Sequence, residues 1–472
     1  MLLDDVLLEI FDFYRNIRYD HPGLLWNWFP LVQVCRRWRQ IIFESPHRLN
    51  LQILCTNGTP VRKNLGIWPP FPIILHCSQR ALKLNAEDNV IAALEHRDRV
   101  CYVRLLGTGP QLGKMVAMMQ EPFPLLTHLD LHLDIMRWEG EDALVLTSEF
   151  LGGFAPRLQK IILCRISFPA LPSLLLSSGD LVTLKLLDIP TSGYISPEVM
   201  VACLASLPRL KVLAITYKDI DSHPDRIRPP PVTRLILPVL TDFEITGAFE
   251  YLEDLVAQID SPQLERISII YLDHPVDFQV TQLSEFIDRS IGPELTPSRR
   301  AHACFHYYSV NFTLSREHSH ANYPGCDRPW RSPVTEISLQ SLDWYMPDVA
   351  VVLSQLSAVL RTVVHLELEA EFEADDNSYE AYNTEWRDLL RQFPAIQTLH
   401  VSKELARPIF FELEHITEEM VAEVLPSLDL ICLEGEHKTT RIDPIRQFSG
   451  RPITVVETTD EFNKILESHL SR

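Results

Sequence analysis

One pattern of apolar and polar positions returns along most of the chain. "PLLTHLDL" (124–131), "PRLQKIIL" (156–163), "PRLKVLAI" (208–215), "PVLTDFEI" (238–245), "PQLERISI" (262–269), "PAIQTLHV" (394–401) and "PSLDLICL" (426–433) all read P-x-Φ-x-x-Φ-x-Φ, with Φ apolar. "VCYVRL" (100–105), "LVTLKL" (181–186), "VTEISL" (334–339) and "VVHLEL" (363–368) keep the frame without the proline. The closing Φ-x-Φ has strand period and places its apolar residues on one face. Helical stretches such as "EVMVACLAS" (198–206) and "WRDLLRQF" (386–393) lie between copies, and most successive starts are about 22 to 33 residues apart. Strand plus helix at that period predicts units that bury their apolar faces only by stacking on neighbours. The expected fold over 100–460 is therefore a curved α/β solenoid with a parallel sheet, preceded by a connecting or capping segment at 51–99 and followed by a helix or tail at 461–472.

Two places strain this frame. Candidate strands crowd together at 235–237 and 240–245, and between 270 and 333 the phrase disappears. Within that gap "RRAHACFHYYSVNFTL" is a β-rich stretch in a poor frame, followed by the polar "SREHSHANYPGCDRP", and the whole is read as one divergent repeat with an extended loop.

The opening fifty residues follow a different period. Val6, Leu7, Ile10, Phe11 and Tyr14 recur at helical spacing behind Asp4 and Asp5, whose charges favour a helix N-terminus. "NIRYDHPG" (16–23) reads as a loop. From Pro30, suited to a first helical turn, one apolar face runs through Leu31, Val34, Cys35, Trp38, Ile41 and Ile42. Arg36, Arg37 and Arg39 fall beside that face. So small a helical unit buries little by itself, and its apolar face calls for a partner.

"LLDDVLLEIFDFY" followed by "LVQVCRRWRQIIFESPHRL" resembles the F-box, above all as it occurs in the large families of mushroom-forming fungi. The likeness spans roughly residues 2 to 49; Leu3 stands where the family usually has proline. It implies a small all-α N-terminal module at 1–50 that docks the adaptor subunit of an SCF-type (cullin-RING) ubiquitin ligase. The implied contact or contact-supporting set is Leu2, Val6, Leu7, Ile10, Phe11, Val34, Cys35 and Trp38. The array resembles the irregular leucine-rich repeats common in F-box proteins. The resemblance implies a substrate-recognition subunit and no enzyme; the alternative is a protein-binding repeat scaffold without a ligase, its F-box degenerate.

In such an array the residues between the apolar strand positions face outward. A client protein is therefore expected at His128, Asp130, Lys185, Arg266, Glu336, Glu367 and His400, with His132, Thr183, Ser268, Ser338, His365 and Thr398 on the same face.

Composition narrows the partners. Lys and Arg total 43 against 63 Asp and Glu, a net charge of -20, which argues against nucleic acid because neutralising phosphates needs surplus cations. No apolar run approaches the roughly 18 residues of a membrane span, and the first eleven residues, interrupted by Asp4, Asp5 and Glu9, do not read as a signal peptide. Nine scattered cysteines without a C-x-x-C fit reduced thiols in cytoplasm or nucleus.

Other chemistry is weighed and set aside. "LLGTGPQLGKM" (105–115) has Thr108 where a phosphate loop needs glycine and Met115 where it needs a magnesium-binding hydroxyl. His302, Cys304, His306, His318 and His320 do not have the spacing of a zinc site. "ELEAEFEADD" (367–376) is strand patterning with an acidic face, though paired acids there also admit a hydrolase reading. Neither G-x-S-x-G nor H-E-x-x-H occurs. No cofactor and no metal is expected.

Overall fold

The computed structural model describes residues 3–16, 28–46, 48–49, 51–56, 58, 60–77, 86–134, 144–217, 233–271, 280–291, 299–306, 310–315, 336–341, 346–356, 360–371, 386–414, 424–434 and 454–458. The chain divides into two compact units, Met1–Lys218 and Asp219–Arg472, both mixed α/β.

The first unit begins with three helices, α1 (Asp4–Asn16), α2 (Phe29–Val34) and α3 (Arg36–Glu44). The continuous helix expected from Pro30 is broken at Cys35. That residue is extended (φ -158°, ψ 169°), and its Sγ caps α3 by accepting from the Trp38 amide. Strands follow at β1 (Ile53–Thr56), β2 (Ile73–Cys77), β3 (Val100–Gly107), β4 (His128–Leu133), β5 (Leu144–Val145), β6 (Lys160–Cys164), β7 (Ile166–Ser167), β8 (Thr183–Ile189) and β9 (Val212–Tyr217). The order β1-β2-β3-β4-β6-β8-β9 is parallel throughout. The ladder thus takes in two strands from the segment 51–99.

Register explains the core. Val103, Leu129, Ile161, Leu184 and Leu213 form one lateral row of buried residues, and Leu105, Leu131, Leu163, Leu186 and Ile215 form the next. Burying each such side chain contributes about 1.5–3 kcal/mol, obtained only when the neighbouring strand is in place. Helices Ala86–Leu94 and Gly109–Ala117 pack on each other, as do Leu171–Leu176 and Pro197–Leu204.

The proline of the repeated phrase has a specific task. In all seven copies the residue before it accepts a hydrogen bond from the residue two after it, from Leu126 to Phe123 (3.1 Å) through Leu428 to Leu425 (3.4 Å). Proline therefore occupies the second position of a β-turn, where its fixed φ is already correct. The two residues joined by that bond are buried in every copy, so each turn also plugs the core.

The second unit contains β10 (Leu235–Ile236), β11 (Asp242–Gly247), β12 (Ile259–Asp260), β13 (Arg266–Tyr271), β14 (Arg299–Phe305), β15 (Val310–Ser315), β16 (Glu336–Ser341), β17 (Val363–Ala370), β18 (Thr398–Val401), β19 (Leu430–Glu434) and β20 (Thr454–Thr458). The crowding near 235–245 resolves by separation: β10 pairs with β12 in a two-stranded sheet, and β11 joins the main ladder. Its order is β11-β13-β16-β15-β14-β17-β18-β19-β20.

The β-rich stretch of the 270–333 gap forms two strands, while the polar segment expected as its extended loop lies, from 316 on, outside the described residues. β14 and β15 form an antiparallel hairpin whose two strands lie inside the sheet, β15 antiparallel to β16 and β14 parallel to β17. Burial accounts for their place there: Ala301, Ala303, Phe305, Val310, Phe312 and Leu314 are all buried. Among the described residues no helix is long and apolar enough to cross a membrane, and the eight described cysteines are free.

Candidate docking surface and polar strand face

Helix α1 has apolar residues on two arcs. Leu7, Leu8 and Phe11 are buried, and Phe11, 1% exposed, meets Trp38 of α3 edge-on at 4.8 Å. Leu3 (73% exposed), Val6 (41%), Ile10 (45%) and Phe13 (70%) recur at spacings of three and four, one stripe on the helix surface. Val34, which ends α2, and Cys35, between α2 and α3, are exposed as well.

The arginines of "CRRWRQ" serve this small unit. Arg37 binds Asp4 at 2.6 Å, and Arg39 Nε donates to the Val32 carbonyl at 3.0 Å. Farther along, Arg48 reaches Asp5 and Glu9 of α1. Each of these exposed pairs is worth at most about 1 kcal/mol, so they orient α1 more than they hold it. Trp28 anchors the helices to the strands that follow: its Nε1 donates to the Gln52 carbonyl at 3.0 Å, and its ring meets Trp68 and Phe71 edge-on.

The implied contact set therefore divides. Val6, Ile10, Val34 and Cys35 are exposed; Trp38 is half-buried; Leu2 lies outside the described residues. Leu7 and Phe11 are buried, Phe11 against Trp38 of α3, so they do not lie on the exposed arc. Exposed Leu3 and Phe13 were missed. Their signal was the three-and-four spacing with Val6 and Ile10.

On the first unit's polar face, His128 stacks on Tyr102 with ring centroids 5.4 Å apart. Burial lowers its pKa, and Lys160 adds to the effect. Lys185 sits half-buried between Ile162 and Ala214 of the flanking strands. Asp130, expected on the outward face, is corrected to a buried residue: Arg104 Nε of the neighbouring strand lies 3.3 Å from its Oδ2 and His132 Nε2, two residues on, 2.5 Å from its Oδ1. Contact with Asp130 first, then with Cys164, pushes the His132 pKa up to about 9 against the opposing effect of burial.

A folded pKa raised in this way means His132 stabilises the unit fully below about pH 6.5, with the contribution lost as pH rises through about 9. Asp130→Asn is expected to return the His132 titration, followed by NMR, towards about 6.5, and to flatten the stability profile between those pH values by on the order of 1–3 kcal/mol. An unchanged His132 titration in that variant would show that the carboxylate is not the cause.

In the second unit Arg266 pairs with Asp242 at 2.9 Å, and β16 places Glu336 beside it in register. His302, Glu367 and His400 follow one another laterally across β14, β17 and β18. His400 Nδ1 lies 3.6 Å from Glu367. His302 Nε2 lies 3.1 Å from Glu369. Burial opposes charge on His302, yet Glu369 raises its pKa overall, while that contact lowers the Glu369 pKa. Just past the ends of β14 and β17, His306 Nδ1 is 3.2 Å from Glu371, and Cys304 lies close to both. Burial, with help from Glu371 and Glu369, pushes the Cys304 thiol up to about 12.

Thr108 begins helix Gly109–Ala117, and its amide donates to Gln111 Oε1 at 3.2 Å, an N-terminal cap within the repeat connection.

No protein-family model matches the chain, and no curated protein matches it.

Proposed function

We propose that this chain is the substrate-recognition subunit of an SCF-type (cullin-RING) ubiquitin ligase, acting in the cytoplasm or nucleus. The helices of residues 1–50 act as an F-box that docks the adaptor, and the strand-helix units act as an irregular leucine-rich-repeat solenoid that holds a client protein. The observation that carries this reading is the stripe of Leu3, Val6, Ile10 and Phe13, apolar and exposed on a helix whose opposite apolar arc is already satisfied. A soluble chain rarely leaves such a stripe uncovered without a partner. Burying it would supply about 1.5–3 kcal/mol per side chain, enough in sum to offset much of the cost of association.

In this reading the chain performs no bond chemistry. It raises the effective concentration of a client lysine beside an activated ubiquitin carrier. Client contacts would fall on the polar strand faces, with His128 and Lys185 in the first unit and Arg266, Glu336, Glu367 and His400 in the second.

Binding of the full chain to the purified adaptor, measured by calorimetry, tests the proposal. A one-to-one complex is expected, weakened at least ~100-fold by the double change Val6→Asp and Ile10→Asp, because two buried charges then face an apolar partner. If the wild-type chain does not bind, the receptor reading fails and a ligase-free scaffold remains. If the variant binds as tightly as the wild type, α1 is not the docking element.

A further inference from the structure

We propose that Cys304, His306 and Glu371 form a binding site for a zinc-class divalent cation at the shared end of strands β14 and β17. Their ligating atoms all lie within 4.8 Å of one another, the one such group among the described residues. The His306 Nδ1 to Glu371 distance of 3.2 Å is close to the roughly 3.3 Å edge of a tetrahedron built on bonds of about 2.0–2.1 Å.

The topology explains why spacing along the chain argued against a metal at His302, Cys304 and His306. Cys304 and His306 alternate on one strand, but the third ligand comes from the parallel neighbour: Cys304 is in register with Glu369, and Glu371 is two residues on, on the same face. The adjacent acid is already engaged, since Glu369 is held by His302 at 3.1 Å. One thiol, one imidazole and one carboxylate suit zinc and its neighbours, whereas calcium and magnesium favour oxygen throughout. Cys304 is buried and Glu371 exposed, so a cation reaches the site from solvent and keeps its fourth position open to water or to an atom of a bound protein. Coordination converts the Cys304 thiol to a thiolate, its proton passing to solvent. The ion would fasten the ends of two neighbouring strands, one of them in the inserted hairpin. This inference does not depend on adaptor docking.

The test uses the full chain. Zinc chloride is titrated in competition with a chromophoric chelator, and cobalt(II) chloride is added separately to look for the near-ultraviolet thiolate-to-cobalt band. The expected result is one zinc equivalent whose affinity falls at least ~10-fold in Cys304→Ser and in Glu371→Gln, with the cobalt band lost in Cys304→Ser and kept in Cys101→Ser. The proposal is overturned if the wild type gives no thiolate band, or if zinc affinity is unchanged in Glu371→Gln, an exposed position where misfolding cannot account for the result.

Discussion

Phe11→Ala is expected to lower the stability of the first unit by about 3–5 kcal/mol, while Ile10→Ala, one residue earlier, costs less than about 1 kcal/mol. Both residues are large and apolar on the same helix. The difference lies in what each touches. Phe11 is 1% exposed and packed edge-on against Trp38, so its removal opens a cavity between α1 and α3 and also forfeits an aromatic contact worth about 0.5–1.5 kcal/mol. Ile10, 45% exposed, leaves no such cavity. Denaturant unfolding of the two variants checks the contrast. Adaptor binding should respond in the opposite sense at native conditions, with Ile10→Ala weakening it in a chain that remains folded. Equal destabilisation by both would mean that the outer arc of α1 is covered by the protein's own residues, and the docking proposal would lose its basis.

That contrast also marks the limit of what the N-terminal sequence could show. Helical spacing places Leu7 and Phe11 on one arc and Leu3, Val6, Ile10 and Phe13 on the other, but both arcs are apolar, and periodicity alone does not say which one faces inward. The packing partner decides, and Trp38 lies 27 residues further along the chain from Phe11. Cys35 is a second case. Its place in an unbroken apolar stripe concealed a residue in extended conformation that ends one helix and caps the next.

The array was more legible. All eleven copies of the phrase overlap a strand of the main ladders, because a Φ-x-Φ segment has few other ways to bury its apolar side, and seven of them enter the strand from a proline turn. The inserted hairpin was not legible in the same way. "RRAHACF" and "VNFTL" alternate as strands do, yet nothing local places them between β16 and β17, since β16 follows them in sequence and β13 precedes them. Pairing across such distances depends on which edges remain open, a property of the assembled sheet. The Cys304, His306 and Glu371 cluster escaped for the same reason, its members being contributed by strands that only the insertion makes adjacent.

Two aromatic contacts add to the strand pairing that holds the hairpin in the second unit, and Trp386→Ala, which removes one of them, is expected to cost about 3–5 kcal/mol there. Trp386, fully buried on the short helix Trp386–Leu390, meets Phe305 at the end of β14 edge-on, with centroids 5.3 Å apart. Phe312 of β15 lies beside Phe393, just beyond the same helix, at 6.1 Å. Both strands of the insertion are thus fastened to one repeat connection. Trp386→Phe should recover much of the loss because ring burial dominates; among the described residues the buried indole Nε1 has no hydrogen-bond partner, so its removal carries no bonding cost there. A double-mutant cycle of Trp386→Ala with Phe305→Ala should give a coupling of about 0.5–1.5 kcal/mol. Hydrogen exchange locates the effect: Trp386→Ala should release protection first in Arg299–Phe305 and Val310–Ser315, whereas uniform loss across the unit would mean that the hairpin is no separate element and unfolds only with the whole sheet.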